Sequence, residues 1–310
     1  MLPCQLDLFD PTLTHPPRKS PQRRHASRRN ELLEVARIAL IVCRRHLNDY
    51  ACPKSKHTYT QPQLLSCLIL RAYRKLTYRG VIDLLDASEP LQRTLGLGRV
   101  PAHTTLKVFC DRVVSPPLLD QLVGQVLAML LEQGLVIDAL AIDSTGVETS
   151  SASAHFCSRA RRQRSGYVKL SIAVACTSIL LVSLSLSMGP SNDLCEAREL
   201  LWRASPRCRP DWVLADKGYD AEWFHRFCKA AWDARSHVPP VAKTKDGTIR
   251  SGPERIRCGR HEPYLYGRRW HVETFISGMK RTCGSTLAAR SEKALVAEAG
   301  LKALAYAIRR

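Results

Sequence analysis

Residues 170–189 read LSIAVACTSILLVSLSLSMG, and the fold turns on whether this stretch crosses a membrane or pairs with itself. It is uncharged and about long enough to span a bilayer as a helix. Five serines interrupt it, however, and Ser183, Ser185 and Ser187 alternate with leucines at the two-residue period of a strand. At its centre Cys176-Thr177-Ser178 reads as a turn. The sequence therefore predicts two paired strands, Tyr167 to Ala175 and Ile179 to Met188, and no membrane partner.

Outward from the hairpin, short apolar runs alternate with helical stretches. Val136 to Ile142 and Trp212 to Ala215 read as strands, and His237 to Lys243 as another. Asp193 to Ala204, Ala221 to Ala234 and roughly Tyr264 to Arg281 read as helices. Three early strands followed by alternation suit an α/β, RNase H-like layered domain (mixed sheet with flanking helices) over residues 135–310.

Upstream the period is helical: Leu32, Val35, Ala36, Ala39 and Leu40, then Leu64, Leu65, Leu68, Ile69 and Ala72, then Leu118 to Leu131. Residues 31–134 are thus expected to form an all-α N-terminal domain for DNA binding or oligomerisation. Gln61 to Leu85 and Val100 to Val114, separated by the Gly96 to Gly98 turn and carrying Arg71, Arg74, Lys75 and Arg79, fit a helix-turn-helix unit and an ordinary helical bundle equally well. His103-Thr104-Thr105 reads as a helix cap. Residues 11–30 hold four prolines with Arg18, Lys19, Arg23, Arg24, Arg28 and Arg29. Residues 1–30 are accordingly expected to be a flexible basic arm.

Composition narrows the partner. The chain has 310 residues, is 45% hydrophobic and carries a net charge of +19 with a pI near 9.7, the electrostatic footprint of a protein that meets phosphate backbones. Its 12 cysteines form no Cys-x-x-Cys pair, which removes zinc-ribbon and redox readings. No export signal is evident at Met1 to Asp10, so a cytoplasmic protein with reduced thiols is expected.

Candidate chemistry sits at three places. Asp143 follows the apolar run 136–142, and Asp216 follows Trp212-Val213-Leu214-Ala215 in the same way, so each strand is expected to end in a carboxylate. Each aspartate read alone could simply begin a turn. The third place is YGRRWHVETFISGMK, in which Tyr266, Arg269, Glu273 and Lys280 are separated by two, three and six residues. On one helix those offsets fall within an arc of roughly 60°, which presents a phenol, a guanidinium, a carboxylate and an ammonium on a single face. The alternative is a solvated face held by an Arg269 to Glu273 pair. Three carboxylates without histidine or cysteine ligands favour Mg²⁺ or Mn²⁺ over Zn²⁺.

Asp143-Ser144-Thr145, then Asp216-Lys217-Gly218-Tyr219-Asp220, then Tyr-(2)-Arg-(3)-Glu-(6)-Lys resemble, in order, the three motifs of DDE transposases of the insertion-sequence 4 and 5 families. The similarity runs from about Val136 to the C-terminus and takes in Gly166-Tyr167 and Pro190-Ser191-Asn192-Asp193. It implies catalytic, metal-binding roles for Asp143, Asp216 and Glu273, two divalent ions, and DNA contacts by Tyr266, Arg269 and Lys280, with Lys217 beside Asp216 able to join them. The implied activity is cleavage and strand transfer at the terminal repeats of a bacterial mobile element, by a homodimer on double-stranded DNA in the nucleoid. Basic segments 158–166 and 250–260 could track phosphates. Two other readings stay open: an RNase H-like nuclease without strand transfer, and a catalytically inactive DNA-binding protein derived from a transposase.

Overall fold

The computed structural model of the chain describes residues 30–54, 56–149, 166–240 and 263–310. Of the expected basic arm only Asn30 falls inside this range. Six helices come first: α1 (Glu31–Arg44), α2 (Gln61–Tyr73), α3 (Tyr78–Asp86), α4 (Glu89–Leu95), α5 (His103–Val113) and α6 (Pro116–Leu131). Strands β1 (Ala139–Glu148), β2 (Tyr167–Ala175) and β3 (Leu180–Met188) follow, then α7 (Asp193–Ala204), β4 (Trp212–Ala215), α8 (Glu222–Trp232) and β5 (Arg235–His237). The last helices are α9 (Pro263–Gly267), α10 (Trp270–Cys283) and α11 (Glu292–Arg309).

The five strands form one mixed sheet in the order β3-β2-β1-β4-β5. β1 pairs antiparallel with β2, and β2 with β3, whereas β4 runs parallel to β1 and β5 parallel to β4. Alternate residues of each strand point to opposite faces. On β1, Ala139 and Ala141 join a core built with α1, α2, α6, α10 and α11, while Leu140 and Ile142 join a second core with α7 and α8.

The same alternation explains the serines of residues 170–189. Ser183 Oγ donates to the Leu200 carbonyl at 3.1 Å, Ser185 Oγ to Glu199 at 2.9 Å and Ser187 Oγ to Glu196 at 2.8 Å. They form the face under α7, where small hydroxyls find partners, and the leucines between them face the other core. The stretch is a hairpin, and no single described helix is long and apolar enough to cross a membrane.

Glu31 to Arg310 constitutes one compact unit, and the first six helices share their core with α11 and β3. A Cβ on Gly300 would stand 2.4 Å from Leu119 Cδ1 and 2.7 Å from Leu186 Cδ1, so only glycine lets α11 approach α6 and β3 this closely. An ion pair ties α6 to β3 and to the segment after α7: Arg207 Nη2 meets the buried Asp120 at 2.5 Å, and Asp120 also accepts the Leu184 N–H at 2.9 Å.

Several boundaries differ from those the sequence predicts. β1 begins at Ala139, since Val136 is exposed, and it continues through Glu148 because β2 pairs with it along its whole length. Asp143 therefore lies within the strand and not at its end. The strand expected from His237 to Lys243 is not found there: β5 ends at His237, Val238 to Pro240 are not strand, and residues 241–243 lie outside those described. His103, Thr104 and Thr105 form the first turn of α5 after Ala102, and do not cap it. The helix expected at 264–281 breaks into α9 and α10, with Arg269 N bonding Tyr266 O and Val272 N bonding Arg269 O across a tightened turn.

Candidate active site

Sheet register brings the two aspartates together. Ile142 and Ala215 are partners across the parallel β1/β4 pair, and the next residue on each chain is Asp143 or Asp216. Each carboxylate is oriented by a backbone N–H: Ser144 N donates to Asp143 Oδ1 at 2.8 Å, and Gly218 N to Asp216 Oδ1 at 2.8 Å. A Cβ on Gly218 would meet Asp216 Oδ1 at 3.0 Å and Asp193 Oδ2 at 3.3 Å. The glycine of the Asp216-Lys217-Gly218 run thus keeps space between two carboxylates.

Arg269 connects this pair to the third candidate. Its Nη1 lies 3.3 Å from Asp143 Oδ2, and its Nη2 donates to Glu273 Oε1 at 2.6 Å. The Arg269 to Glu273 pair that the sequence offered as a surface contact exists, and its guanidinium also reaches β1. Glu273 remains about half exposed, at 54%. Burial pushes the Asp143 carboxyl above its ordinary value, Ser144 N–H and Arg269 oppose this, and the negative charges of Asp216 and Glu273 add to the rise. Three carboxylates thus share one field, although among the described residues no three acidic, histidine or cysteine groups are drawn close enough to hold a metal ion.

The remaining candidates occupy different surroundings. Tyr266 is half-buried, with its ring 5.9 Å from the Arg269 guanidinium and 5.3 Å from the His237 ring. Lys280 donates to Thr145 Oγ1 at 2.7 Å and to the Gly146 carbonyl at 2.9 Å, and burial lowers its pKa. Its position alongside β1 is therefore fixed by the strand, a partnership that the spacing in YGRRWHVETFISGMK did not reveal. Lys217 is exposed on the turn after Asp216. Residues 158–165 and 250–260, the basic segments singled out from sequence, lie outside those described.

One network was missed. Lys169 on β2 is only 4% exposed, and it meets Asp193 at 2.9 Å and Glu196 at 3.0 Å while donating to the Ser191 carbonyl at 2.7 Å. Burial works against its charge, but hydrogen bonds to Asp193 and Glu196 outweigh this and raise its pKa. Asp193 in turn accepts from Ser144 Oγ at 2.5 Å. The chain Lys169, Asp193, Ser144 thus braces the peptide that orients Asp143. The only sequence signal was Pro190-Ser191-Asn192-Asp193, which carries no spacing that ties it to Lys169. Tyr219, fully buried beside these groups, has its phenol pushed up by burial and by the charges of Asp193, Asp143 and Asp216.

The arrangement sets three carboxylates around one guanidinium. Residues 134–308 match the family model described as "Transposase DDE domain". No curated protein matches the chain. Among solved structures, a cryo-EM structure of the piggyBac transposase synaptic complex with hairpin DNA is similar at 10% identity with a TM-score of 0.41, covering 90% of this chain and 72% of that one.

Proposed function

The chain belongs to the transposase DDE domain family, and from that premise we propose that it is a DNA transposase of the insertion-sequence 4 or 5 type. It binds the terminal repeats of its element as a homodimer and catalyses strand cleavage and strand transfer in the bacterial cytoplasm. The observation that carries this reading is the pairing of Ile142 with Ala215, which sets Asp143 beside Asp216 on parallel strands, with Arg269 linking Asp143 to Glu273. The strand order supports an RNase H-like catalytic domain over 135–310, with the helices of 31–134 supplying DNA contacts and self-association.

Asp143, Asp216 and Glu273 form an all-oxygen donor set, which fits magnesium or manganese. Two such ions, when bound, stabilise the attacking and leaving oxygens of an in-line displacement at phosphorus. The protein's own contribution is orientation. Ser144 N–H and Gly218 N–H fix the two aspartates before any ligand arrives. Glu273 is held in reserve by Arg269, whose planar fork can exchange carboxylates for a phosphate of the DNA. Lys280 spends two donors on β1 and keeps a third proton for the backbone. Tyr266 and Lys217 flank the same phosphate path.

The test is to incubate the purified protein with the terminal DNA of its own element and Mg²⁺, then map cut ends and joined products. Cut and joined ends are expected. Cutting without joining would indicate a nuclease, and binding without either would indicate an inactive DNA-binding descendant.

A further inference from the structure

A cavity of about 880 Å³ lies apart from the carboxylates, between α2, α3, α5 and the segment joining α10 to α11. Its lining carries Arg71, Lys75, Lys107, Arg290 and Lys302 against a single acid, Glu298. Glu298 is already engaged, since its carboxylate accepts the Ala288 and Ala289 N–H groups at 3.1 and 3.0 Å. Two of the cations are buried in the floor, Arg71 at 7% and Lys302 at 6% exposure.

Buried cations normally carry a full set of partners. Arg71 stacks over the Tyr78 ring at 4.1 Å, yet its buried Nε has no hydrogen-bond partner among the described residues. Lys302 donates to the Thr286 carbonyl at 2.7 Å, with Glu298 at 3.9 Å. Burial lowers its pKa, and the neighbouring charges of Arg71 and Lys75 push the same way. Lys75, Lys107 and Arg290 are exposed around the rim, Lys75 donating to the Arg281 carbonyl at 2.7 Å and Lys107 pairing with Asp111.

The cavity is tethered to the strand that carries Asp143. Leu287, in its wall, donates its N–H to the Glu148 carbonyl at 2.8 Å, and Thr286 bridges to the same residue. Glu148 lies five residues beyond Asp143 on β1, which is about 17 Å at ~3.3 Å per residue. Lys280 sits between the two, on Thr145 and Gly146.

We propose that this cavity is a second phosphate-binding site, which grips the DNA backbone away from the phosphate at the carboxylates, with Arg71 and Lys302 in its floor and Lys75, Lys107 and Arg290 at its rim. The site rests on the reading of the chain as a DNA transposase. Phosphate neutralises the floor cations and supplies an acceptor for Arg71 Nε. An open basic rim suits a continuous strand better than a free anion.

The test measures affinity of the full-length protein for a short fluorescent duplex across a potassium chloride series. Arg290→Gln, at an exposed position, should leave the melting temperature unchanged and reduce the slope of log K against log salt by about one, as expected for one lost phosphate contact. Arg71→Gln should reduce the slope likewise and remove the corresponding phosphate from an ethylation-interference footprint. Should Arg71→Gln fail to fold, Lys107→Gln, also exposed, takes its place. Wild-type slopes in folded variants would overturn the site while leaving the transposase reading intact. Loss of inorganic pyrophosphate binding in the variants with DNA slopes unchanged would overturn the DNA-backbone assignment in favour of a free anion. Failure of the wild type to bind the duplex at all would overturn both.

Discussion

Arg269 lies 3.3 Å from Asp143, across the gap between α10 and the middle of β1, while its other terminal nitrogen holds Glu273 at 2.6 Å. One guanidinium therefore occupies the position between two carboxylates in which a cation is wanted, and it neutralises part of the charge of the three-carboxylate cluster. This makes Arg269 a competitor of metal as well as a phosphate ligand. Arg269→Ala should lower the Mg²⁺ concentration needed for half-maximal cleavage, slow cleavage, and reduce the salt slope of DNA binding by about one. A metal titration on the variant decides this, and an unchanged half-saturating Mg²⁺ concentration would remove the competitor role.

Asp143→Ala, Asp216→Ala and Glu273→Ala should each abolish cleavage while leaving DNA affinity nearly unaltered, because ion ligands are not phosphate clamps. Gel shift and cleavage on the same preparations separate the two properties. Near-normal cutting by Glu273→Ala would take the helix carboxylate out of the site.

Asp120 is 2% exposed and holds both Arg207 and the Leu184 N–H. Asp120→Ala leaves the Leu184 N–H without its acceptor and removes the partner of a part-exposed guanidinium that keeps the Val182 carbonyl, so a loss of about 1–3 kcal/mol is expected. Denaturant unfolding of the variant measures it. The double variant Asp120→Leu with Arg207→Met should recover part of the loss, and a single-variant cost under about 1 kcal/mol would mean that the pair is solvated.

Asp138 is held at about 2, against an ordinary 3.8, mainly by the Arg268 hydrogen bond, with burial opposing and Thr177 assisting. A depressed carboxyl contributes stability that is fully present above the ordinary value and disappears as pH falls through the folded value. The stability difference between wild type and Asp138→Asn should therefore be constant above pH 4 and shrink between about pH 4 and 2. With Asp138 43% exposed, solvent screening limits the difference to less than about 1 kcal/mol. A difference that does not vary with pH would assign the contact no electrostatic weight.

The first six helices share a core with α11, where Leu119 rests on Gly300. A fragment of residues 1–134 is consequently expected to lack a cooperative thermal transition, despite containing whole helices. Circular dichroism with heating tests this. A sharp transition would show that these helices form an independent DNA-binding module.

What the amino-acid order determined alone was local. Strand period placed the hairpin and put serines on one of its faces, apolar runs located β4 and the first half of β1, and the motif order pointed to a transposase. Those signals depend on neighbours within a few residues, where side-chain alternation and turn chemistry dominate. Tertiary structure decided the rest. The extent of β1 beyond Asp143 depends on pairing with β2, the break before Arg269 on the approach of α10 to β1, and the Lys169, Asp193 and Ser144 network on α7 docking under the hairpin serines. Each joins residues far apart in the chain, so no periodicity records it. The same holds for Lys280, whose ammonium the spacing put on a helix face with Arg269 and Glu273 and the fold ties to Thr145 and Gly146.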